Sequence, residues 1–377
     1  MTAPQRGWLL RLDQHGAKQW EGSYGAFCSD VITLNDDGLL VVGTIENDGM
    51  ILRLNARGER VWDRRFQGNG TDFLVTITSI PGDVFWIGGH SSSLPGLDKT
   101  SASYGGADGL VIAIDSEGNV LWDKTFGGTQ TDYLSYIQPA NGGGVIVSGG
   151  SYSSDGTRAT PAFGNADVWV LRLDPLGNVT WEQSFGTSDW DTSAGACQLP
   201  DGGFAFLAIT GPATNGNKGT TSFGGDDVWL IRTDRNGRTI WETAFGGDSH
   251  DDASAIALMP DGGLMIGAAS SSGTSGNKSV TGYGGTDYWI VKLAADAICV
   301  SPKLRPLFQT KETIEQRGFE FYFLGSDTLP YVMEFSTNSV WWTPFQTNIG
   351  TGQEILLRDP DASRSPHRIY RARLLLD

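Results

Sequence analysis

A tryptophan-centred segment recurs five times in the first three quarters of the 377-residue chain. Its tryptophans are 42, 60, 59 and 60 residues apart, at Trp20, Trp62, Trp122, Trp181 and Trp241. An aspartate stands ten positions after each one, at Asp30, Asp72, Asp132, Asp191 and Asp251. A period of this length is typical of an architecture in which every repeat is one supersecondary unit. The repeat therefore predicts a fold, but it brings no chemistry with it.

Each repeat contains four short apolar runs separated by turn residues. The first run reads DVWLIRTD at 227–234, the second carries the tryptophan, and a D-x-x-G turn joins them. The third and fourth runs flank a P-D-G-G turn, as at Pro200. Alternation and β-branched residues mark the runs as strands, and four antiparallel strands per repeat are what a propeller blade requires. The sequence therefore predicts an all-β chain with a β-propeller of four-stranded blades: five blades, in a ring closed by strands from both ends, are favoured, and six are the alternative.

The pattern changes after Leu293. Alternation with period two places Phe319, Phe321 and Phe323 on one face of a strand, and Tyr331 and Met333 on one face of another. About 75 residues of short strands predict a small Ig-like β-sandwich. We therefore expect two domains, a propeller at 1–297 and a β-sandwich module at 298–377.

The acidic charge is confined to the repeats. From Ile298 onward nine Lys and Arg balance nine Asp and Glu, so the formal charge of −16 belongs to the repeat region. Such a surface repels nucleic acid and anionic lipid and favours cations, basic partners or neutral ligands, although it also serves solubility alone. No apolar stretch reaches the roughly 18 residues of a membrane helix, so we expect no membrane insertion. The sequence does not determine an oligomeric state.

The cysteines and the N-terminus bear on the cellular setting. Cys28, Cys197 and Cys299 are far apart and at unrelated positions, so we expect free, partly buried thiols and no disulfide framework. The N-terminus has no basic region followed by an apolar core, so no secretory signal is predicted. A cytoplasmic protein and an exported protein without its leader are the two alternatives.

The repeat resembles known bacterial families. Its D-x-x-G-x-x-x-W hairpin, the following F-G-G-x-x-x-D and the later D-G-G resemble the seven-bladed-propeller-type and delta-60-type repeats of secreted proteins over residues 7–293, and are similar to the tryptophan-docking repeat of quinoproteins. The later run YVMEFSTN, with D-P-D-A and R-x-Y-R-A-R, resembles a C-terminal module of exported proteins from Verrucomicrobia-like and Planctomycetes-like bacteria. The resemblance implies a propeller, an extracellular or cell-surface location and a binding role.

One face of the blades collects the aspartates and the long loops. Connections after the second and fourth strands emerge on the same face. The favoured interpretation is that each carboxylate caps amides of glycine turns, since buried N–H groups need acceptors. The alternative is Ca²⁺ binding, but no loop has EF-hand spacing, so no cofactor is predicted. The long loops 91–107, 151–166, 210–226 and 270–286 each end in a second aspartate: Asp108, Asp167, Asp227 and Asp287.

Departures from the repeat are the better candidates for binding a ligand. Aromatic rings and a histidine occupy loop positions where other repeats carry small or polar residues, beside the rim aspartates. Exposed rings stack on sugars or anchor a protein partner, and the alternative for each ring is packing against the adjacent long loop. No histidine cluster supports a metal site or acid-base catalysis at His250. The candidate ligand-binding residues are Trp190, Tyr133, Phe73, His250, Asp132, Asp191 and Asp251.

A non-catalytic surface or secreted module fits these observations best. Variable loops on a rigid scaffold commonly carry binding, so the sequence predicts a binding or scaffold propeller that recognises a glycan or a protein through its loop-rich acidic face. The alternative is a propeller enzyme. A glycoside hydrolase or lyase would need paired carboxylates across the channel, and no pair stands out from the repeating set. A quinoprotein-like dehydrogenase is less favoured, because the adjacent cysteine pair and the eight blades of that class are missing.

Overall fold

The computed structural model describes residues 7–294, 303–307, 309–324, 330–338, 341–351, 354–364 and 367–374. Cys299 and the predicted domain boundary at 297/298 lie outside these ranges. The chain divides into two compact units, one with most of the repeat region and one with most of the C-terminal region, and each is described by itself. Among the described residues, no helix is long and apolar enough to cross a membrane.

The described part of the repeat region forms six antiparallel sheets, numbered I to VI along the chain. Sheets II to V have four strands each, which confirms the predicted all-β architecture of four-stranded blades. The strands are, in sheet I, β1 (Trp8–Leu12) and β2 (Lys18–Ser23); in sheet II, β3 (Phe27–Thr33), β4 (Leu39–Ile45), β5 (Asp48–Leu54) and β6 (Arg60–Phe66); in sheet III, β7 (Asp72–Ile80), β8 (Val84–Ser91), β9 (Asp108–Ile114) and β10 (Val120–Phe126); in sheet IV, β11 (Asp132–Pro139), β12 (Val145–Ser151), β13 (Asp167–Leu173) and β14 (Val179–Phe185); in sheet V, β15 (Asp191–Gln198), β16 (Phe204–Thr210), β17 (Asp227–Thr233) and β18 (Thr239–Phe245); in sheet VI, β19 (Asp251–Leu258), β20 (Leu264–Ser270) and β21 (Asp287–Leu293).

Each four-stranded sheet joins two consecutive sequence repeats. In sheet IV, β11 and β12 come from the third and fourth runs of one repeat, and β13 and β14 come from the first and second runs of the next. The first strands of neighbouring sheets pack on one another, β7 on β3 and β11, and β11 on β15, so they are the innermost strands. The tryptophan strands are the outermost. Apolar cores lie between successive sheets from II to V, so the blades stack face to face.

The D-x-x-G turns have the predicted geometry. Between β9 and β10, Asp115 Oδ1 accepts hydrogen bonds from the backbone N–H of Glu117 at 3.0 Å and of Asn119 at 2.8 Å. Gly118 has a φ of 79°, which a side chain would disfavour. This turn therefore needs both the acceptor and the glycine. Equivalent bonds are accepted by Asp13, Asn55, Asp174 and Asp234.

The glycine of a D-x-x-G turn lies against the tryptophan of the preceding repeat. A Cβ added to Gly118 would lie only 2.7 Å from a ring carbon of Trp62. The contact ties the outermost strand of one sheet to a turn of the next sheet, so the tryptophans dock neighbouring blades. Four pairs share this geometry: Trp20 with Gly58, Trp62 with Gly118, Trp122 with Gly177, and Trp181 with Gly237.

The two ends of the repeat region lie in separate sheets. Sheet I consists of β1 and β2, and sheet VI consists of β19, β20 and β21. Closure of the ring by strands from both ends would require them to share a sheet. The closed ring, whether of five or six blades, therefore stays a prediction.

The described residues of the C-terminal unit form two three-stranded antiparallel sheets. The elements are β22 (Lys303–Pro306), α1 (Lys311–Arg317), β23 (Phe319–Leu324), β24 (Pro330–Ser336), β25 (Thr343–Ile349), β26 (Glu354–Asp359), a 3-10 turn (Ala362–Arg364) and β27 (Ile369–Leu374). The sheet orders are β22-β23-β26 and β25-β24-β27. Phe321 and Phe323 share one core with Tyr331 and Met333, as their period-two alternation indicated. The Ig-like sandwich stays a prediction.

Candidate functional site

In each of sheets III to VI, two aspartates stand at the loop-rich end. In sheet IV, Asp132 of β11 pairs with Ser151 of β12, and Ser151 pairs with Asp167 of β13, so both carboxylates stand at the same end of the sheet. Asp132 is fully buried and accepts hydrogen bonds from Gly128 N at 2.8 Å and from Ser153 Oγ at 2.7 Å. The carboxylate therefore holds the glycine turn and the start of the long loop together.

The other two predicted rim aspartates repeat this geometry. Asp191 accepts from Thr187 N at 2.7 Å, and Asp251 accepts from Gly247 N at 2.8 Å. Both carboxylates are fully buried. Asp132, Asp191 and Asp251 thus have internal partners and no surface for a ligand, and the site proposed below is built without them.

Sequence reasoning missed a basic residue that stands nine positions before the aspartate at the end of each long loop. These side chains donate to carbonyls of their own loops, as Lys278 Nζ does to Ser272 O at 2.7 Å and to Val280 O at 3.1 Å. The constant spacing was the available signal, but the variable residues around it obscured the pattern. The four basic residues are almost completely buried: Lys99, Arg158, Lys218 and Lys278.

In sheet IV the basic residue forms a direct ion pair. Arg158 Nη2 lies 2.7 Å from Asp167 Oδ2, and both side chains are inaccessible to solvent. Arg158 Nη1 also donates to Ser153 O at 2.7 Å. We call the two aspartates and the buried base of each of sheets III to VI its loop-base cluster. The buried base supplies a positive charge beside the aspartates, for which the sequence alone left Ca²⁺ binding as an alternative. In the described ranges, no group of three His, Cys, Asp or Glu side chains is arranged to hold a metal ion.

Burial changes the acidity of the loop-base cluster in sheet V. It raises the pKa of Asp227 from 3.8 to about 6, against the opposing hydrogen bond from Phe223 N. Burial also raises the pKa of Asp191 and lowers the pKa of Lys218. The charged forms of this cluster are therefore disfavoured by desolvation, and protonation of Asp227 is linked to folding.

The raised pKa of Asp227 predicts a pH-dependent stability. A carboxyl whose pKa rises on folding stabilises the fold below its unfolded value of 3.8, and this contribution is lost as the pH rises to about 6. The wild type should lose about 2 kcal/mol of unfolding free energy between pH 4.5 and 7 through this group, and Asp227→Asn should remove that loss. Urea denaturation at both pH values measures the difference. Asp252→Asn, which removes an exposed carboxylate from sheet VI, is the control, and equal effects of the two variants would contradict the assignment.

The prediction that Asp30 is a rim aspartate was wrong. The β-bulges of β3 and β7 align Ala26, not Asp30, with Asp72. Ala26 comes six positions after Trp20, whereas Asp72 comes ten positions after Trp62, so the ten-residue spacing of Asp30 from its tryptophan is a coincidence. Asp30 instead accepts a hydrogen bond from Ile77 N of sheet III at 2.9 Å, which ties two blades together.

Two of the predicted aromatic residues lie close together near the starts of innermost strands. The Phe73 ring stacks on His90 of β8 with centroids 5.0 Å apart, and the Tyr133 ring meets the same histidine edge-on at 6.3 Å. Tyr133 Oη lies 2.8 Å from Thr192 Oγ1 of β15. Burial lowers the pKa of His90, so the imidazole is neutral at pH 7, and its buried Nδ1 has no hydrogen-bond partner among the described residues. Sequence reasoning missed His90, although it connects the two predicted rings.

Trp190 continues the aromatic surface toward sheet V. Its Nε1 donates to Tyr152 Oη at 3.1 Å, so the ring packs against the adjacent long loop, and it is still 36% exposed. Burial and the nearby Tyr152 both raise the pKa of Tyr133, which places the two tyrosines near each other. We call Phe73, His90, Tyr133, Tyr152 and Trp190 the aromatic row. It extends from sheet III to sheet V on the loop-rich end.

His250 stands apart from the aromatic row. It precedes β19 just as Trp190 precedes β15, one sheet further along. Its ring is exposed, and Nδ1 lies 3.1 Å from Asp226 Oδ2. The structure therefore brings Phe73, Tyr133 and Trp190 into one surface and leaves His250 beyond its end.

A groove of about 630 Å³ lies at the opposite end of sheets II and III. Turn residues line it, among them Asn35, Asp36, Arg53 and Asp83. Arg53 and Asp36 form an ion pair with each other. Two of its three charged groups are thus already paired, which makes it a weaker candidate than the aromatic row.

Comparisons with known proteins give distant matches. No protein-family model matches the chain. Regulatory protein FlaEY of Caulobacter vibrioides is 26% identical over 263 residues, which are 66% of this chain, and the chain spans 27% of the length of that curated relative. Hydrazine synthase of Kuenenia stuttgartiensis has a TM-score of 0.47 at 12% identity, with 68% of each chain covered. Puromycin hydrolase has a TM-score of 0.38 at 12% identity, over 84% of this chain and 55% of that one; both are β-propeller-type proteins.

Proposed function

We propose that the repeat region binds a glycan through the aromatic row. The observation that carries this proposal is the presence of five neighbouring rings on three consecutive sheets, of which Phe73 and Trp190 are 37% and 36% exposed. Sugar rings present apolar faces that stack on aromatic side chains, and their hydroxyls require hydrogen-bond partners. The aromatic row supplies the stacking surfaces.

Polar groups of the row suit a neutral ligand. The hydroxyls of Tyr133 and Tyr152 lie along the row on the side of His90 that faces sheet V, near Thr192 and Trp190. A tyrosine hydroxyl both donates and accepts a hydrogen bond, which matches a sugar hydroxyl. The formal charge of −16 disfavours acidic glycans, so we expect a neutral one.

Binding is favoured over catalysis because of the state of the rim carboxylates. A glycosidase needs two carboxyl groups that face the substrate, whereas Asp132, Asp191 and Asp251 are buried and hold loop amides. FlaEY is named as a regulatory protein, and a regulatory role is compatible with a binding module. The resemblance of the repeats to secreted families supports a cell-surface or extracellular location.

Trp190→Ala is expected to weaken glycan binding about tenfold, or ~1.4 kcal/mol, because it removes a stacking surface from the row. A glycan array with the full chain would identify the ligand, and calorimetric titration would compare the variants. Trp341→Ala is the matched control, since that ring is 77% exposed in the C-terminal unit, and it should leave the affinity unchanged.

Other outcomes would redirect the proposal. If both Trp190→Ala and Phe73→Ala bound the glycan as tightly as the wild type, the site would be elsewhere. Capture of a protein with no glycan bound at any concentration would favour a protein ligand. Glycan cleavage, lost in a carboxylate variant, would favour a propeller enzyme.

A further inference from the structure

The interface between sheets IV and V shows how one blade contacts the next. Val168 and Val170 of β13 face sheet V, which we call the forward direction along the chain of sheets. Trp229 and Ile231 of β17 face sheet IV, the backward direction. All four side chains are fully buried in the shared core. A blade interface therefore has two halves. The forward half presents two apolar residues, and the backward half presents a tryptophan and an aliphatic residue.

Sheet I carries the backward half of such an interface, but the described chain has no sheet before it. The pairing of Arg11 with Trp20 in β1 matches that of Arg232 with Trp241 in β17, so Trp8 and Leu10 correspond to Trp229 and Ile231. Leu9 packs toward sheet II, which places Trp8 and Leu10 on the outer face. Trp8 is 62% exposed and Leu10 42%, whereas their counterparts in sheet V are completely buried.

Sheet VI carries the forward half. Tyr288 and Ile290 of β21 occupy the positions of Val168 and Val170, one and three residues after the aspartate that begins the strand. Tyr288 is 98% exposed and Ile290 61%, whereas the valines are completely buried. The intervening Trp289 is buried, as expected for a residue that faces sheet V.

The docking pairs show the same pattern. Each tryptophan from Trp20 to Trp181 meets the glycine of the following D-x-x-G turn, which in the first case is an N-x-x-G turn. The sequence has no D-x-x-G turn after Trp241, and the first glycine, Gly16, would have no atom within 4 Å of an added Cβ. Trp241 in the last tryptophan strand and Gly16 in the first D-x-x-G turn are therefore the two members of a fifth docking pair.

We propose that a second copy of this chain stacks its sheet I on sheet VI of the first, head to tail. Terminal repeats of an array normally carry a polar outer face that keeps the array soluble, and here both outer faces are apolar. The two faces complete an interface that already recurs between consecutive sheets of the chain. Both faces are exposed in the structure, so the described residues of their own chain do not cover them. Such a heterologous contact closes into a ring or extends into a filament.

The test uses variants that block one face each. Leu10→Glu places a charge on the face of sheet I, and Ile290→Glu places one on the face of sheet VI. Sedimentation velocity over a range of concentrations should show self-association of the wild type, and each variant alone should associate at least about 100-fold more weakly, because an unpaired charge would be buried. An equimolar mixture of the two variants should form a 1:1 dimer, since one intact interface remains and cannot propagate.

Controls and contrary outcomes are distinct. Leu176→Glu changes a 71% exposed leucine in the turn between β13 and β14 and should associate like the wild type. Circular dichroism melts would show that the single variants are folded. The proposal would be overturned if the wild type stayed monomeric at all concentrations. This includes the case in which sheet I and sheet VI of one chain close on each other and shield Trp8 from a fluorescence quencher. A mixture of the two variants that remains monomeric would overturn the proposal too.

Discussion

Arg158→Ala should lower the free energy of unfolding by about 3–5 kcal/mol, because it leaves Asp167 as an uncompensated charge in the interior. The two side chains form an ion pair of 2.7 Å that is inaccessible to solvent. The guanidinium also holds a carbonyl of its own loop, through Ser153 O at 2.7 Å. Urea denaturation followed by tryptophan fluorescence measures the loss.

Two variants separate this effect from a general loss of charge. Arg57→Ala removes an exposed guanidinium from the turn between β5 and β6 and should change the stability by less than about 0.5 kcal/mol. Arg158→Lys introduces the residue found at the equivalent position of the other three long loops and should recover most of the stability lost in Arg158→Ala. Equal stabilities of Arg158→Ala and Arg57→Ala would show that Asp167 does not depend on the buried base.

Gly177→Ala should lower the free energy of unfolding by about 3 kcal/mol, through two separate costs. The residue has a φ of 75°, which costs an L side chain about 1–2 kcal/mol. The new methyl group would also lie 2.8 Å from Trp122, so the ring or the turn must move, at about 1–3 kcal/mol. Thermal and urea denaturation give the sum of the two.

Gly142→Ala isolates the backbone contribution. Its φ is 84°, and an added Cβ would have no neighbour within 4 Å. The variant should therefore lose only about 1–2 kcal/mol. If Gly177→Ala and Gly142→Ala were equally stable, contact with the tryptophan would not limit the residue at the D-x-x-G turn.

Local features of the repeat were predictable because short-range chemistry determines them. The D-x-x-G hairpin needs only an acceptor such as Asp115 and a residue with positive φ such as Gly118, and both are visible in five consecutive residues. The alternation of apolar residues likewise marks the strands. The arrangement of strands in sheets that cross the repeat boundary depends on packing between blades, which the sequence period does not reveal.

Errors in the sequence interpretation arose where spacing misrepresented register. Asp30 matches the ten-residue rule, but a shorter connection places Ala26 at the position that Asp72 has in sheet III. Constant spacing also marks Lys99 and its equivalents, yet a buried cation is not expected in a variable loop without knowledge of its partners.

The candidate site was predictable only in part. Phe73, Tyr133 and Trp190 depart from the repeat pattern and were found for that reason. His90 and Tyr152 complete the aromatic row, but they lie at the end of a strand and in a long loop, and only the three-dimensional contacts relate them to the others. Departure from a repeat identifies individual residues, whereas a surface depends on how successive blades place them.

The buried bases give each long loop an internal anchor. Lys278, for instance, donates to Ser272 O near the start of its loop and to Val280 O further along the same loop. The part of the loop next to the sheet thus keeps its path whatever residues stand at the loop tip. Tips can therefore change, or be exchanged between sheets, one repeat at a time while the frame persists, which makes the chain a natural starting point for engineering new specificities.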